Sequence, residues 1–196
     1  MHITQQYYQN KPSLFLMNTE QQEYISLISR STHDDILIKK TSWEAINFQE
    51  HAHEKFQIIY TLSGTLHVET GGVNYFVPEK HIAWIPEKAS HKLSSNSRQV
   101  SLIIFYINLN ITPDDGKNRF SIYSTNGIIA ENLKFIASKG KVITRGKQTD
   151  LYNFALSFFN LFPKMTLGAD FLLKTLVIPN DSRLHPILNY ITEHIH

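Results

Sequence analysis

The chain has 196 residues, is 42% hydrophobic and 12% aromatic, and carries charged side chains at only 18% of its positions. This composition is typical of a globular protein with a sizeable core, and it excludes an intrinsically disordered chain. The net charge of +2 gives no electrostatic case for nucleic-acid binding, and the absence of cysteine excludes disulfides and thiolate metal sites. No secretory signal and no apolar stretch near the ~20 residues of a membrane span is visible, so we expect a cytoplasmic protein with no membrane partner.

The first two thirds of the chain predict a short helix followed by strands. Thr19 and Gln22 resemble a capping box and begin a helix that extends to Arg30. Short β-rich runs follow, bounded by glycine and proline, and the Gly71-Gly72 pair is typical of a tight hairpin turn. The predicted strands are Ile36–Lys40, Phe56–Ser63, Thr65–Thr70, Val73–Val77, His81–Ile85 and Val100–Ile107. Strands at such regular spacing indicate a sandwich or barrel.

From about residue 128 the apolar pattern takes the helical period. Helices are predicted at Ile128–Ser138 and Gln148–Phe162, and Pro163 is expected to end the second. The second helix is apolar on nearly all sides, so it must cover two surfaces, of which one is the barrel. The other surface is either a partner subunit or the following segment, Leu167–Ile178, of the same chain.

The most informative pattern in the chain is a set of imidazole side chains. His51 and His53 are separated by one residue, and Gln57 has the same parity, so an unbroken strand would place all three on one face. A later strand that ends near His91 would bring a third imidazole to the same place. Imidazoles bind Zn, Ni, Fe and Mn, and the amide oxygen of Gln57 is a weak fourth ligand. Glu50 and Glu54 have the opposite parity, so the donor set carries no charge and anionic ligands should be attracted.

Two interpretations of these four residues remain open. In the first, His51, His53, Gln57 and His91 bind one divalent transition metal and the small molecule that enters the pocket. In the second, they bind no metal: either they are hydrogen-bonded walls of the pocket, or His51 and His53 lie in a solvent-exposed approach to the strand. No catalytic triad, phosphate-binding loop or helical metalloprotease motif accompanies them, so we assign no catalytic residue.

The stretch 51–95 resembles the cupin double motif. The spacing His51-x-His53, three residues, Gln57, six residues, Gly64 fits the first half, with glutamine in place of the family's glutamate. In the second half, Pro86 and His91 keep their spacing, whereas Lys80 and Lys88 replace the two glycines and Ser95 replaces the asparagine. The resemblance implies a mainly β fold with C-terminal helices, in which a jelly-roll barrel (a double-stranded β-helix) precedes the helical region.

A cupin followed by two helices and then the sequence from Asp181 to Ile191 is similar to the AraC-type transcription regulators. In that family an N-terminal cupin binds the effector, adjoining helices dimerise, and a C-terminal pair of helix-turn-helix motifs binds DNA. The resemblance implies an effector-sensing barrel at 1–125, a helical dimerisation region at 126–178 and the start of a truncated DNA-binding domain at 179–196. The expected partners are a small-molecule effector and a second copy, with DNA bound only through the missing domain.

Three functions are compatible with these observations. The favoured function is a regulatory sensor that is not an enzyme. The second is a metal-dependent cupin enzyme, a dioxygenase or isomerase, which the three histidines favour and the lost glutamate opposes. The third is a cupin scaffold without a ligand.

Overall fold

The structure is a computed structural model that describes residues 19–43, 46–95, 97, 99–109, 118–167, 183, 184, 186, 187 and 190. Among these residues the chain forms helices and strands in the following order: α1 (Thr19–Arg30), β1 (Asp35–Trp43), β2 (Ile46–His51), β3 (Phe56–Ser63), β4 (Leu66–Thr70), β5 (Val73–Val77), β6 (His81–Ile85), β7 (His91–Ser95), β8 (Val100–Ile107), β9 (Ser121–Ser124), α2 (Gly127–Ser138), β10 (Val142–Thr144) and α3 (Thr149–Leu167).

The strands form two antiparallel sheets. One sheet has the order β10-β1-β8-β3-β6-β9, and the other has the order β2-β7-β4-β5. Because strands that are neighbours in space are mostly distant in sequence, the two sheets enclose a jelly-roll fold rather than a simple meander. The predicted class, a mainly β fold with a jelly-roll barrel and C-terminal helices, is confirmed.

The six-stranded sheet is buried on both faces. Its inner face meets the four-stranded sheet in a core that includes Leu37, Phe48, Ile59, Leu66, Val68, Leu93, Ile104 and Tyr106. Its outer face is covered by α2 and α3 in a second core that includes Ile38, Ile58, Ile103, Phe105, Leu133, Ile136, Phe159 and Phe162. Strands buried on both faces are expected to be apolar without alternation. This explains why β3 and β8 consist almost entirely of buried residues.

Two large aromatic residues of the six-stranded sheet, Trp84 and Phe105, lie in the core beneath the helices. The rings of Trp84 and Phe162 are stacked with centroids 6.1 Å apart, and Phe105 and Phe159 are in contact with centroids 5.1 Å apart. Both Trp84 and Phe105 are fully buried. They attach the helices to the barrel and do not line a ligand pocket.

Four strands were not predicted, and the predicted position of His91 within its strand was wrong. The strands β2, β7, β9 and β10 are short or rich in polar residues, so their periodicity in the sequence is weak. These strands form because their backbones are hydrogen-bonded to neighbouring strands of the sheet. His91 is the first residue of β7, whereas the sequence analysis expected a strand that ends near His91.

The expectation that Pro163 ends the last helix was also wrong, because α3 continues to Leu167. Proline removes one backbone donor and usually ends or kinks a helix. Here Phe162 is buried against the barrel, and Thr166 Oγ1 donates to the carbonyl oxygen of Pro163 at 2.8 Å. Packing of the apolar face therefore holds the last turn in place.

The segment 168–178, which was one of two candidates to cover the outer face of α3, lies outside the described residues, as does most of the predicted region 179–196. None of the helices that the structure describes is long and apolar enough to cross a membrane.

Candidate functional site

Three histidines meet at one end of the barrel. His51 is the last residue of β2 and lies opposite His91, the first residue of β7. Their ring centroids are 4.3 Å apart, and His53, in the β2–β3 connection, lies 6.0 Å from His51 and 5.2 Å from His91. All three side chains are buried.

Gln57 joins this cluster from the other sheet. The predicted unbroken strand does not exist, because β2 ends at His51 and β3 begins at Phe56 in the six-stranded sheet. Gln57 Oε1 nevertheless lies 3.2 Å from His53 Nε2. The structure thus brings all four predicted residues together. They meet because the chain crosses from one sheet to the other between His51 and Gln57, and not because they alternate along a single strand.

The contacts of the imidazoles favour one tautomer. The Nδ1 atoms of His51, His53 and His91 lie 2.8, 2.7 and 2.9 Å from the backbone carbonyl oxygens of Gln49, Lys55 and Ala89. A carbonyl oxygen only accepts, so these contacts favour the tautomer in which Nδ1 donates its proton and Nε2 keeps a lone pair. Such Nδ1–H bonds to carbonyls are the usual outer partners of metal-binding histidines.

The Nε2 lone pairs have too few donors around them. His91 Nε2 is the one buried side-chain atom among the described residues that has no hydrogen-bond partner. The accepting nitrogen of His53 faces an oxygen of Gln57, which is a second acceptor. Two acceptors in contact repel one another, and a cation placed between them would turn that repulsion into attraction.

The pKa values of the three imidazoles are suited to metal binding. Burial lowers the pKa of His51 to about 4, with a further contribution from the neighbouring His53. Burial also lowers the pKa of His53, and it lowers that of His91 well below the ordinary value, where His51 and His53 contribute. The imidazoles are therefore neutral at neutral pH, which is the form that coordinates a metal.

This donor set fits a divalent metal ion and carries no negative charge. The candidate ligand atoms of His51, His53 and His91 all lie within 4.8 Å of one another. The nearby carboxylates are engaged elsewhere, since Glu50 accepts from Ser90 Oγ at 2.7 Å and Glu54 pairs with Lys88 at 3.3 Å. As the sequence analysis expected, neither of them supplies the acid that Gln57 replaces.

A cavity of about 940 Å³ adjoins the histidines. Its barrel side contains His51, His53 and Lys55, and its opposite wall is formed by α1, with further residues from the chain segments after α1 and β8. The sequence analysis missed Lys55 and the role of α1 as a wall. Sequence periodicity could reveal neither feature, because Lys55 lies in the connection between two strands and α1 is distant in sequence from the site.

Gln21 attaches α1 to the strand that carries His51. Its Nε2 donates to the carbonyl oxygen of Gln49 at 2.8 Å, and its Oε1 accepts from the Gln49 backbone N–H at 3.1 Å. The same Nε2 lies 3.1 Å from His51 Nδ1. The helix that closes the cavity is therefore hydrogen-bonded to the backbone beside the histidine centre.

Fold and site together describe a jelly-roll domain with a cavity beside a buried histidine cluster. Residues 42–123 match the family model described as the AraC-like ligand binding domain. This match agrees with the resemblance to AraC-type regulators that the sequence showed. No curated protein sequence matches the chain.

The chain is also similar to several solved structures. Unsaturated-fatty-acid-bound ToxT from Vibrio cholerae is 14% identical, with a TM-score of 0.48, and the match covers 74% of this chain and 60% of that chain. A cupin-2 domain protein from Shewanella frigidimarina is 19% identical, with a TM-score of 0.34 and coverages of 40% and 74%. A cupin superfamily protein from Desulfitobacterium hafniense is 14% identical, with a TM-score of 0.35 and coverages of 40% and 72%.

Proposed function

We propose that this chain is the sensing part of an AraC-type transcription regulator and is not itself an enzyme. A small-molecule effector enters the cavity between α1 and the histidine end of the barrel. The observation that carries the proposal is that His51 and His53 line that cavity within an AraC-like ligand-binding domain. In this proposal the protein works in the cytoplasm, and DNA is bound by a domain that begins within residues 179–196.

The proposed site residues are His51, His53, Gln57 and His91, which hold one divalent transition metal (Zn, Ni, Fe or Mn). The support is that one candidate ligand nitrogen from each of the three histidines lies within 4.8 Å of the others, together with the unpartnered Nε2 of His91. The metal would supply a Lewis-acidic position at which an effector is held. The chain's own groups shape the site. The backbone carbonyls hold the imidazole rings in place, and α1 closes one side of the cavity that the effector enters.

Dimerisation is proposed through the helical region 126–178, with the barrel at 1–125 as the sensor. The support is a row of exposed apolar side chains on α2 and α3 that the barrel leaves uncovered. Effector binding can influence the attached domain only if the effector has different affinities for two arrangements of the dimer. Because α1 lines the cavity and is hydrogen-bonded to β2, a bound effector can act on the position of α1.

Metal analysis of protein purified without a nickel resin tests the centre. We expect about one divalent metal ion per chain, and we expect His91→Ala to abolish it. The matched control is His81→Ala, because Nδ1 of His81 also lies 2.7 Å from a carbonyl oxygen, that of Glu79, but belongs to no cluster. Protein that contains no stoichiometric metal and takes up none would contradict the metal centre.

A metal-dependent cupin enzyme is the second candidate, favoured by the same three histidines. The two functions differ in what happens to a bound small molecule. A sensor releases its effector chemically unchanged, whereas an enzyme releases a product whose formation depends on His51, His53 and His91. Mass spectrometry of a small molecule that stabilises the metal-loaded protein, before and after incubation, distinguishes the two.

A further inference from the structure

We infer that Gln21 of α1 is a positioning residue of the histidine centre and that it opposes metal binding there. It competes with the metal-bound form of His51 for one hydrogen-bond acceptor, the carbonyl oxygen of Gln49. This role rests on the proposed function, because the metal ion concerned is the one proposed for the three histidines. A bound metal ion and the attachment of α1 therefore weaken each other.

Gln21 is held to β2 in one orientation. Its Nε2 donates to the Gln49 carbonyl oxygen at 2.8 Å, and its Oε1 accepts from the Gln49 backbone N–H at 3.1 Å. The carbonyl only accepts and the N–H only donates, so reversing the amide would lose both bonds. Gln21 is 1% exposed, so water does not readily replace either partner.

His51 uses the same carbonyl oxygen. Its Nδ1 also lies 2.8 Å from this oxygen, and it lies 3.1 Å from Gln21 Nε2. When Nδ1 carries the proton, two N–H groups of like polarity lie side by side and divide one acceptor, which weakens both bonds. When the proton is on Nε2 instead, Gln21 Nε2 can donate to the Nδ1 lone pair. Both effects of Gln21 disfavour the form of His51 whose Nε2 coordinates a metal.

A metal ion on Nε2 of His51 intensifies this competition. The cation draws electron density from the ring, so Nδ1–H becomes a stronger donor and binds the Gln49 carbonyl more tightly. The bond from Gln21 to the same oxygen weakens as a result. Coupling between two sites is reciprocal, so removing the amide of Gln21 must strengthen metal binding.

The other end of α1 is attached independently of the histidines. Lys55 Nζ donates to the carbonyl oxygens of Thr32 and Asp35, which follow α1, at 2.8 and 2.9 Å. These bonds do not involve the Gln49 carbonyl. A metal ion should therefore loosen the first half of α1, residues 19–25, and leave residues 26–30 in place. Because α1 forms a wall of the cavity, metal binding would widen the access to it.

The zinc affinity of Gln21→Met, measured in competition with a chromophoric chelator, tests the sign of this effect. Methionine keeps the helix propensity of glutamine and removes the amide. We expect zinc to bind about 3- to 10-fold more tightly to Gln21→Met than to the wild type. Gln22→Met makes the same change one residue along α1 and should leave the affinity unchanged. Equal or weaker zinc binding by Gln21→Met would overturn the role of Gln21 and leave the metal centre standing.

The imidazole N–H resonances report the competition without any metal. In the metal-free protein, Gln21→Met should move the Nδ1–H resonance of His51 downfield, because its bond to Gln49 strengthens. The resonances of His53 and His91 should stay in place, since other residues supply their carbonyl acceptors. A merely structural role of Gln21 would not single out His51. An unchanged His51 resonance contradicts the shared acceptor.

Hydrogen exchange of the wild type, with and without zinc, tests the consequence for α1. We expect the amides of residues 19–25 to exchange at least about threefold faster in the zinc-loaded protein, and those of residues 26–30 to be unchanged or slower. Unchanged or slower exchange throughout α1 would refute the competition, and this measurement stays decisive if Gln21→Met fails to fold. A wild type that takes up no zinc would instead remove the metal centre itself and, with it, this role of Gln21.

Discussion

At the scale of single residues, Gln57 decides the charge of the histidine centre. Its Nε2 donates to the hydroxyl of Tyr106 at 3.1 Å, which directs its oxygen at His53. In the opposite amide orientation Gln57 would donate to His53 and accept from Tyr106. Tyr106 can therefore pair with Gln57 in either orientation, and the orientation in the structure, with the oxygen toward His53, is the one that suits a bound cation.

Replacing Gln57 by glutamate should strengthen metal binding. A carboxylate at this position compensates part of the charge of a divalent ion, and Tyr106 remains available to donate to it. We expect zinc affinity to rise by about 10- to 100-fold for Gln57→Glu in competition with a chromophoric chelator. Gln22→Glu, on the cavity wall formed by α1, is the control and should have little effect. Equal zinc affinities for the wild type and Gln57→Glu would show that residue 57 is not a ligand.

Two lysines occupy backbone conformations that favour glycine. Lys80 and Lys88, which stand where the cupin pattern has glycine, both have φ of 61°. At Gly64, which the pattern keeps, φ is +76° and a Cβ atom would lie 2.5 Å from the carbonyl oxygen of Gln99. All three positions therefore have the left-handed backbone that favours glycine. Of the three, Gly64 alone has no space for a side chain.

Lys88→Gly should stabilise the protein. A left-handed backbone strains a residue with a Cβ atom, and this gain exceeds the extra entropy that glycine brings to the unfolded chain. We expect the free energy of unfolding to rise by about 0.5–1 kcal/mol in denaturant titrations. Lys139→Gly, at a φ of −86°, is the control and should lower it. A lower stability for Lys88→Gly would mean that the pairing of Lys88 with Glu54 outweighs the strain.

At the scale of elements, α3 has two apolar faces. One face, which includes Tyr152, Ala155, Phe159 and Phe162, is buried against the barrel. The other carries Phe154, Leu161 and Met165, which are 40%, 53% and 40% exposed. Phe135 of α2 extends this row, since its ring lies 5.8 Å from that of Phe154. None of the described residues covers this row. The helix therefore has the second apolar surface that the sequence analysis expected, and what covers that surface stays a prediction.

Leu161→Glu should weaken the proposed dimer. A buried charge without a partner in the interface opposes association. We expect the dissociation constant measured by sedimentation equilibrium at micromolar concentrations to rise by at least about tenfold. Asn153→Glu, about two turns earlier on the same helix and about 80° around its axis, should leave it unchanged. A wild-type chain that is monomeric in this range would contradict dimerisation through this face.

At the scale of the whole molecule, the pocket lies where two sheets and a helix meet. The inter-sheet core ends at Tyr106, which contacts Tyr24 of α1 with ring centroids 6.0 Å apart. Beyond it the histidines occupy the end of the barrel, and α1 covers the cavity. The site is thus held by the same packing that stabilises the fold, so changes in its protonation act on global stability.

The metal-free protein should lose stability when the pH falls below about 6.5. The folded-state pKa of the histidines lies below the unfolded value, so the unfolded state binds more protons and acid favours unfolding. The drop in the pKa of His51 from 6.5 to about 4 alone corresponds to about 3 kcal/mol. This contribution is complete above the unfolded pKa and is lost as the pH approaches 4.

Denaturant titrations in the presence of a chelator, from pH 7.5 to 4.5, measure this dependence. His91→Asn removes one of the three groups and should flatten the curve, whereas His81→Asn should follow the wild type. A wild-type stability that is constant between pH 6.5 and 5 would contradict the inferred burial of the imidazoles.

The sequence by itself determined the class of fold, the strands with continuous apolar runs and the identity of the four clustered side chains. Those features depend on local periodicity and on motif spacing, which one chain displays directly. The tertiary structure decided how the four side chains meet, because β2 and β3 belong to different sheets and parity along one strand does not apply. It also decided the place of Lys55 and α1 at the cavity and the extension of α3 past Pro163, since packing between distant segments overrides local propensity.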